Sequence, residues 1–135
     1  MRIYLSGPMT GLPDLNRPAF EAAEKRLMTQ GHFVINPHRI SALFGTAEEL
    51  ADSFKLYYDI TLDYGVDFIE NGLAAKDIMD RVSLARSVMD ADLAAVRSCD
   101  AIYLLRGWET SRGARKELAE AIKYGLEVRQ EGGEE

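Results

Sequence analysis

The opening 35 residues constrain the fold more than any other stretch. Arg2-Ile-Tyr-Leu-Ser6 alternates, is rich in strand formers and stops at Gly7-Pro8. Arg17-Pro18 then opens a helix, since proline is tolerated in a first turn, and Asn16 stands where an N-cap belongs. Phe20, Ala23 and Leu27 recur at helical spacing until Gly31, and Phe33-Val-Ile35 reads as a second strand closed by Asn36-Pro37. A strand, a helix of about four turns and a second strand form a βαβ unit, whose crossover makes the strands parallel.

The rest of the chain extends that plan. Thr46-Ala-Glu-Glu49 is a capping-box pattern that opens a helical segment running through Leu56 toward Tyr64. Gly65 and Gly72 punctuate it, and a long helix follows from about Ala74 to Ser98. Asp100-Ala-Ile-Tyr-Leu-Leu105 is the clearest buried strand, with Gly107-Trp-Glu-Thr110 as a loop at its carboxyl end. Ser111 is placed to cap a helix whose inner face carries Ala114, Leu118, Ala121 and Ile122. Gly125 stops that helix, Leu126-Glu-Val128 is a short last strand, and the acidic, glycine-containing residues 129–135 are expected to fray.

The sum is a single α/β domain over residues 1–135, a doubly wound, flavodoxin- or Rossmann-like parallel sheet flanked by helices, with a helical insertion at 39–87. In such sheets ligands bind outside the carboxyl ends of the strands. Two loops rich in small residues meet that description, Gly7 to Gly11 and Gly107 to Gly113.

Composition narrows the function classes. A chain of 135 residues makes one core, and 47% apolar with 28% charged residues is ordinary for a globular domain. A formal charge of −6 argues against a nucleic-acid backbone as partner, which needs a clustered basic face, yet leaves small anionic ligands open. Cys99 is the sole cysteine, so no intramolecular disulfide forms and a reducing, cytoplasmic setting is expected. The first strand-like run, Arg2 to Ser6, is far too short for a signal peptide or a membrane span.

Two carboxylates stand where apolar residues belong. Ala85, Met89, Val96 and Cys99 share one helical face with Asp92, while Arg86, Asp90, Ala94 and Arg97 form a solvated one. A carboxylate facing a core is costly unless paired or working. Capping a loop or pairing with an arginine at the sheet edge would equally account for Asp92. Glu117 lies one turn from Ala114 and Ala121, at the edge of the apolar face, where the helix dipole alone could explain it. Two carboxylates directed at one crevice are the equipment of glycosidic cleavage. Ser111 reads as a plain N-cap or, with Gly113 and the free N–H groups, as a phosphate cradle beside Arg112, Arg115 and Lys116. Trp108 can stack on a base, anchor the loop or face a partner.

Other motifs fit poorly. Gly7-Pro-Met-Thr-Gly11 is neither a dinucleotide fingerprint nor a Walker A loop, and no Gly-x-Ser-x-Gly elbow exists. With one cysteine, and with His32 and His38 at opposite ends of a short strand, neither a metal nor another cofactor is expected.

The strings Tyr4-Leu-Ser-Gly-Pro-Met-Thr-Gly11, Met89-Asp-Ala-Asp-Leu93 and Cys99-Asp-Ala-Ile-Tyr-Leu-Leu-Arg-Gly-Trp-Glu-Thr-Ser-Arg-Gly-Ala-Arg-Lys-Glu117 resemble the nucleoside 2-deoxyribosyltransferase superfamily, more narrowly a phage and bacterial branch of mostly unassigned function. The resemblance spans residues 1–38 and 88–128. It implies that Glu117 attacks C1′ of the deoxyribose, that Tyr4 orients Glu117 and that Asp92 handles the proton at the base. Transferases acting on free nucleosides tend to carry aspartate at the position of Ser111, whereas deoxynucleoside 5′-monophosphate N-hydrolases carry a phosphate-binding serine. Gly7, Gly11 and Gly113 match positions where backbone approaches the ligand. The implied activity is cleavage or transfer at the N-glycosidic bond of a deoxynucleoside monophosphate, in a homo-oligomer, through a glycosyl-glutamate. The alternative is a non-catalytic module that senses or sequesters a nucleotide on the same fold. Two departures stand out: residues 39–87 have no counterpart in the superfamily, and Arg106 stands where proline is expected.

Overall fold

The computed structural model describes residues 1–64 and 76–133. Four strands, β1 (Arg2–Ser6), β2 (Phe33–Ile35), β3 (Ala101–Leu104) and β4 (Glu127–Gln130), form one sheet in the order β2-β1-β3-β4, parallel throughout. Helices α1 (Arg17–Thr29), α2 (Pro37–Ser41), α3 (Ala47–Tyr64), α4 (Lys76–Arg97) and α5 (Arg112–Lys123) supply the crossovers. This is the expected Rossmann-like α/β architecture, and the helices cover both faces of the sheet. Among the described residues, no helix is long and apolar enough to cross a membrane.

The two-residue period of a strand decides which side chains meet which layer. Ile3 and Leu5 of β1 point to one face, where they pack with Phe20, Ala23 and Leu27 of α1. Tyr4 points to the other and packs with Ile102 and Leu104 of β3, Val96 of α4 and Ala121 of α5. All four residues of β3 are buried, as a strand covered on both faces requires. Each fully buried aliphatic or aromatic side chain of these layers contributes about 1.5–3 kcal/mol of transfer free energy. The register pairs Ser6 with Leu104, so β1 and β3 end level with one another.

Residues 39–87 hold most of a helical pair, α3 and the front of α4, which close on each other through Tyr57, Ile60, Val82 and Ala85. The capping box at the start of α3 is reciprocal: Glu49 N donates to Thr46 Oγ1 at 3.2 Å, and Thr46 N donates to Glu49 Oε1 at 3.3 Å. Gly65, Gly72 and Ala74, read as two breaks and a helix start, lie outside the described residues, as do Glu134 and Glu135.

Several local expectations need correction. Asn16 does not cap α1: with Asp14 and Leu15 it adopts a left-handed backbone, and its amide donates to Pro8 O at 3.0 Å. That turn, Pro13–Asn16, tucks Leu15 into the protein and braces the loop after β1. Ile122 is not on the inner face of α5 but 64% exposed, because the apolar stripe runs through Ala114 and Ala121. The end of the chain does not fray from residue 129. Arg129 and Gln130 belong to β4, and Glu131 N donates to Leu104 O at 2.8 Å. The Glu131 carboxylate also accepts from Arg106 N at 3.2 Å and from Arg26 Nη2 at 3.0 Å. Backbone pairing to a buried strand outweighs the polar composition there.

Candidate active site

The strand order reverses between β1 and β3, since β2 lies beyond one and β4 beyond the other. At that switch point, outside the carboxyl ends of both strands, opens a cavity of about 690 Å³. The loop after β1 forms one side, and the loop after β3 with the first two turns of α5 forms another. Asp92 of α4 and Phe54 and Tyr58 of α3 complete the wall.

Glu117 sits on this wall, two turns into α5, and both its oxygens are held. Tyr4 donates its phenolic hydroxyl to Oε2 at 2.7 Å, and Ser6 donates its hydroxyl to Oε1 at 2.6 Å. Tyr4 and Ser6 are two residues apart on β1, so the strand projects both toward α5, and both are fully buried. Hydrogen bonds from neutral hydroxyls to a carboxylate are short and stronger than neutral ones. Burial pushes the carboxyl of Glu117 up, and the bonds from Ser6 and Tyr4 pull it back down. Burial, then the charge of Glu117, hold the Tyr4 phenol well above its ordinary value, so it keeps its proton and donates.

Asp92 reaches the same cavity from the neighbouring helix, α4. It is 7% exposed, and its Oδ1 has no hydrogen-bond partner. Burial first, and the nearby charge of Glu117 second, raise its carboxyl to about 9. A buried carboxylate without a counterion is expensive, so the proton resides there. The pair is therefore divided: Glu117, raised to about 7 and held by two donors, gives up its proton first, and Asp92, with an unsatisfied oxygen, keeps its proton longer. Environments that push two carboxyls apart in this way assign a base or nucleophile and an acid.

Ser111 caps α5, its Oγ accepting from Ala114 N at 3.1 Å, and it also lines the cavity. The plain N-cap reading is thus correct as far as it goes. The N–H groups of Arg112 and Gly113 precede the first intrahelical bond and remain at the cavity. A Cβ on Gly113 would lie 3.3 Å from the Tyr58 hydroxyl, so the glycine lets α3 close over this turn. Arg112 and Lys116 both contact α3. Arg112 Nη1 donates to Tyr58 O at 3.1 Å, its guanidinium lies 5.5 Å from the Tyr58 ring, and Lys116 Nζ lies 5.3 Å from the Tyr57 ring. They tie α5 to α3 and leave the α5 end of the cavity positive.

Three residues of the sequence-based set behave differently from expectation. Trp108 does not line the cavity; it packs against the cluster of Tyr4, Val96, Ile102 and Ala121 and so anchors the loop. Gly11 also lies off the cavity, and a φ of +86° in its turn is what demands glycine. Gly7 does line the cavity, yet its closest approach is to protein: a Cβ there would fall 2.7 Å from Leu105 Cβ.

Two site residues escaped the sequence reading. Ser6 carried a usable signal, because a polar residue two places after Tyr4 on a strand must face the same way. Tyr58 carried none, since no spacing relates α3 to α5. Its phenol is raised by burial and then by Glu117, which places it in the field of the acidic pair. Among the described residues no three His, Cys, Asp or Glu side chains gather where they could hold a metal ion.

The family model described as Domain of unknown function (DUF4406) matches residues 1–66 and 68–130. No curated protein and no solved structure matches the chain. The family match runs through residues 39–66 and 68–87, so the α3–α4 pair that closes the cavity belongs to the family pattern and is no private addition of this chain. The chain is a member of the DUF4406 family.

Proposed function

We propose that this protein cleaves, or transfers across, the N-glycosidic bond of a 2′-deoxynucleoside 5′-monophosphate. The observation that carries the reading is the pair of carboxyls on one cavity, one gripped by two hydroxyls, the other buried with an oxygen that has no hydrogen-bond partner. The cavity volume of about 690 Å³ falls within the range of roughly 300–1,000 Å³ typical of small-ligand sites.

In the first step a Glu117 oxygen attacks C1′ through an oxocarbenium-like transition state. The C1′–N bond breaks, its electron pair leaves with the base, and Asp92 delivers its proton to that base. Asp92 is then a carboxylate. It removes a proton from a water molecule that attacks C1′ of the glycosyl ester, freeing Glu117 and deoxyribose 5-phosphate with overall retention. A second base in place of water gives transfer instead. Ser111 and the α5 N-terminus suit the 5′-phosphate, because helix N–H groups and the dipole favour an anion and Arg112 stands beside them.

The test is incubation with each of the four deoxynucleoside monophosphates, with free base followed by chromatography. The wild type releases base from at least one, and Glu117→Ala releases none. Saturable binding of a monophosphate without any base release would instead identify a nucleotide-binding module.

A further inference from the structure

We propose that Ser6 is a positioning residue that, together with Tyr4, makes Glu117 the ionised member of the carboxyl pair and leaves the proton on Asp92. The proposal rests on the glycosidase reading for its catalytic consequence, but its protonation claim stands on geometry alone.

Two carboxyls in one poorly solvated space cannot both ionise cheaply, so a single proton must choose between them. The choice goes to the group with fewer donors. Glu117 receives one hydroxyl on each oxygen, Ser6 at 2.6 Å and Tyr4 at 2.7 Å, whereas Asp92 Oδ1 receives none. Ser6 is fully buried, so its hydroxyl has no water to turn to. Its place at the end of β1, paired in register with Leu104, fixes the oxygen with no freedom beyond rotation of one bond. The remaining groups around Glu117 do not make this choice. Tyr58 on α3 is a neutral phenol, Asp92 on α4 is the competing acid, and Arg112 and Lys116 on α5 are engaged with the α3 tyrosines. Lys55 and Asp59 at the rim are exposed. Ser6 is thus the second donor that tips the pair, while Tyr4 alone would leave one Glu117 oxygen bare.

The donor hypothesis predicts an order of effects. Ser6→Cys retains a weak donor of similar size, and Ser6→Ala retains none. With the full-length protein labelled with ¹³C at the glutamate side-chain carboxyl, the Glu117 signal is followed against pH, its assignment made with Glu117→Gln. The expected midpoint rises by about one pH unit or more in Ser6→Ala, with Ser6→Cys between it and the wild type. If the glycosidase reading holds, the acidic limb of the kcat/KM profile moves with it, while KM changes little. An unchanged Glu117 midpoint in both variants, with melting temperatures showing that they fold, overturns the proposal. So does an equal displacement in Ser6→Cys and Ser6→Ala, which would mark packing rather than donation. The titration needs no substrate. A moved midpoint in a protein that releases no base therefore defeats the glycosidase reading and keeps this one.

Discussion

Asp92 makes the site costly to the fold, and the cost has a pH signature. Its carboxyl is raised to about 9 by burial and by Glu117, while an unfolded aspartate titrates near 3.9. Over the intervening range the native state holds one proton more than the unfolded state, so stability falls as pH rises, by about 1.36 kcal/mol per pH unit. The useful window runs from about pH 7 to pH 8.5, where Asp92 still holds its proton, Glu117, raised to about 7, loses the rest of its own, and His38, which burial lowers to about 4, is already neutral. Across it the loss from Asp92 is about 2 kcal/mol, or a fall in Tm on the order of 6–10 °C for a chain of this length. Asp92→Asn keeps the shape, cannot ionise and removes that slope. Thermal unfolding of the two proteins at matched ionic strength across the window checks it. The mutant should overtake the wild type as pH rises. Parallel curves for wild type and Asp92→Asn would refute the argument, because they would mean that Asp92 ionises freely in the folded protein.

Two further substitutions probe the loops. Gly7→Ala puts a Cβ 2.7 Å from Leu105 Cβ, a contact between two short, inflexible groups, and should lower stability in urea unfolding by about 1–3 kcal/mol. An unchanged midpoint would show that the loop after β1 shifts without resistance. Ser111→Asp places a negative charge at the proposed phosphate position and should weaken a deoxynucleoside monophosphate by about tenfold or more relative to the parent nucleoside, measured by competition binding. Equal losses for both ligands would remove the phosphate from that place.

Legibility from sequence followed the range of the interactions involved. The βαβ unit, the capping box at Thr46 and the stop at Gly125 were readable because each is decided within a few residues. Asp92 and Glu117 were readable as anomalies, polar groups on otherwise apolar helical stripes, though pattern alone left a capping or pairing role open. What failed was decided elsewhere in the chain. Asn16 has the chemistry of a cap, but the pull of Pro8 O and the burial of Leu15 turned its backbone left-handed. Residues 129–131 look like a solvated tail, yet β3 offers them unpaired backbone and Arg26 and Arg106 offer partners for Glu131. Tyr58 reaches the site across the α3–α5 contact, which no periodicity in either helix announces.

A second buried carboxylate shows why Asp92 is not a mere accident of packing. Glu24 on α1 is 6% exposed, almost the same as Asp92 at 7%. The fold neutralises it in the ordinary way: Arg39 donates from Nε at 2.8 Å and from Nη2 at 2.7 Å, a two-pronged pair that holds the carboxyl of Glu24 below its usual value. The chain therefore has the means to satisfy a buried acid and applies them where the acid only joins α1 to α2. At Asp92 the same burial is left without a cation, while Glu117 on the same cavity accepts from the hydroxyls of Tyr4 and Ser6. Unsatisfied polar groups in native structures concentrate where chemistry needs them, since elsewhere a small substitution removes the cost. An apolar residue at position 92 would extend the stripe of Ala85, Val88 and Val96 and stabilise α4. That a carboxyl stands there instead, facing a cavity, is what the proposed reaction requires of the group that gives and retakes one proton.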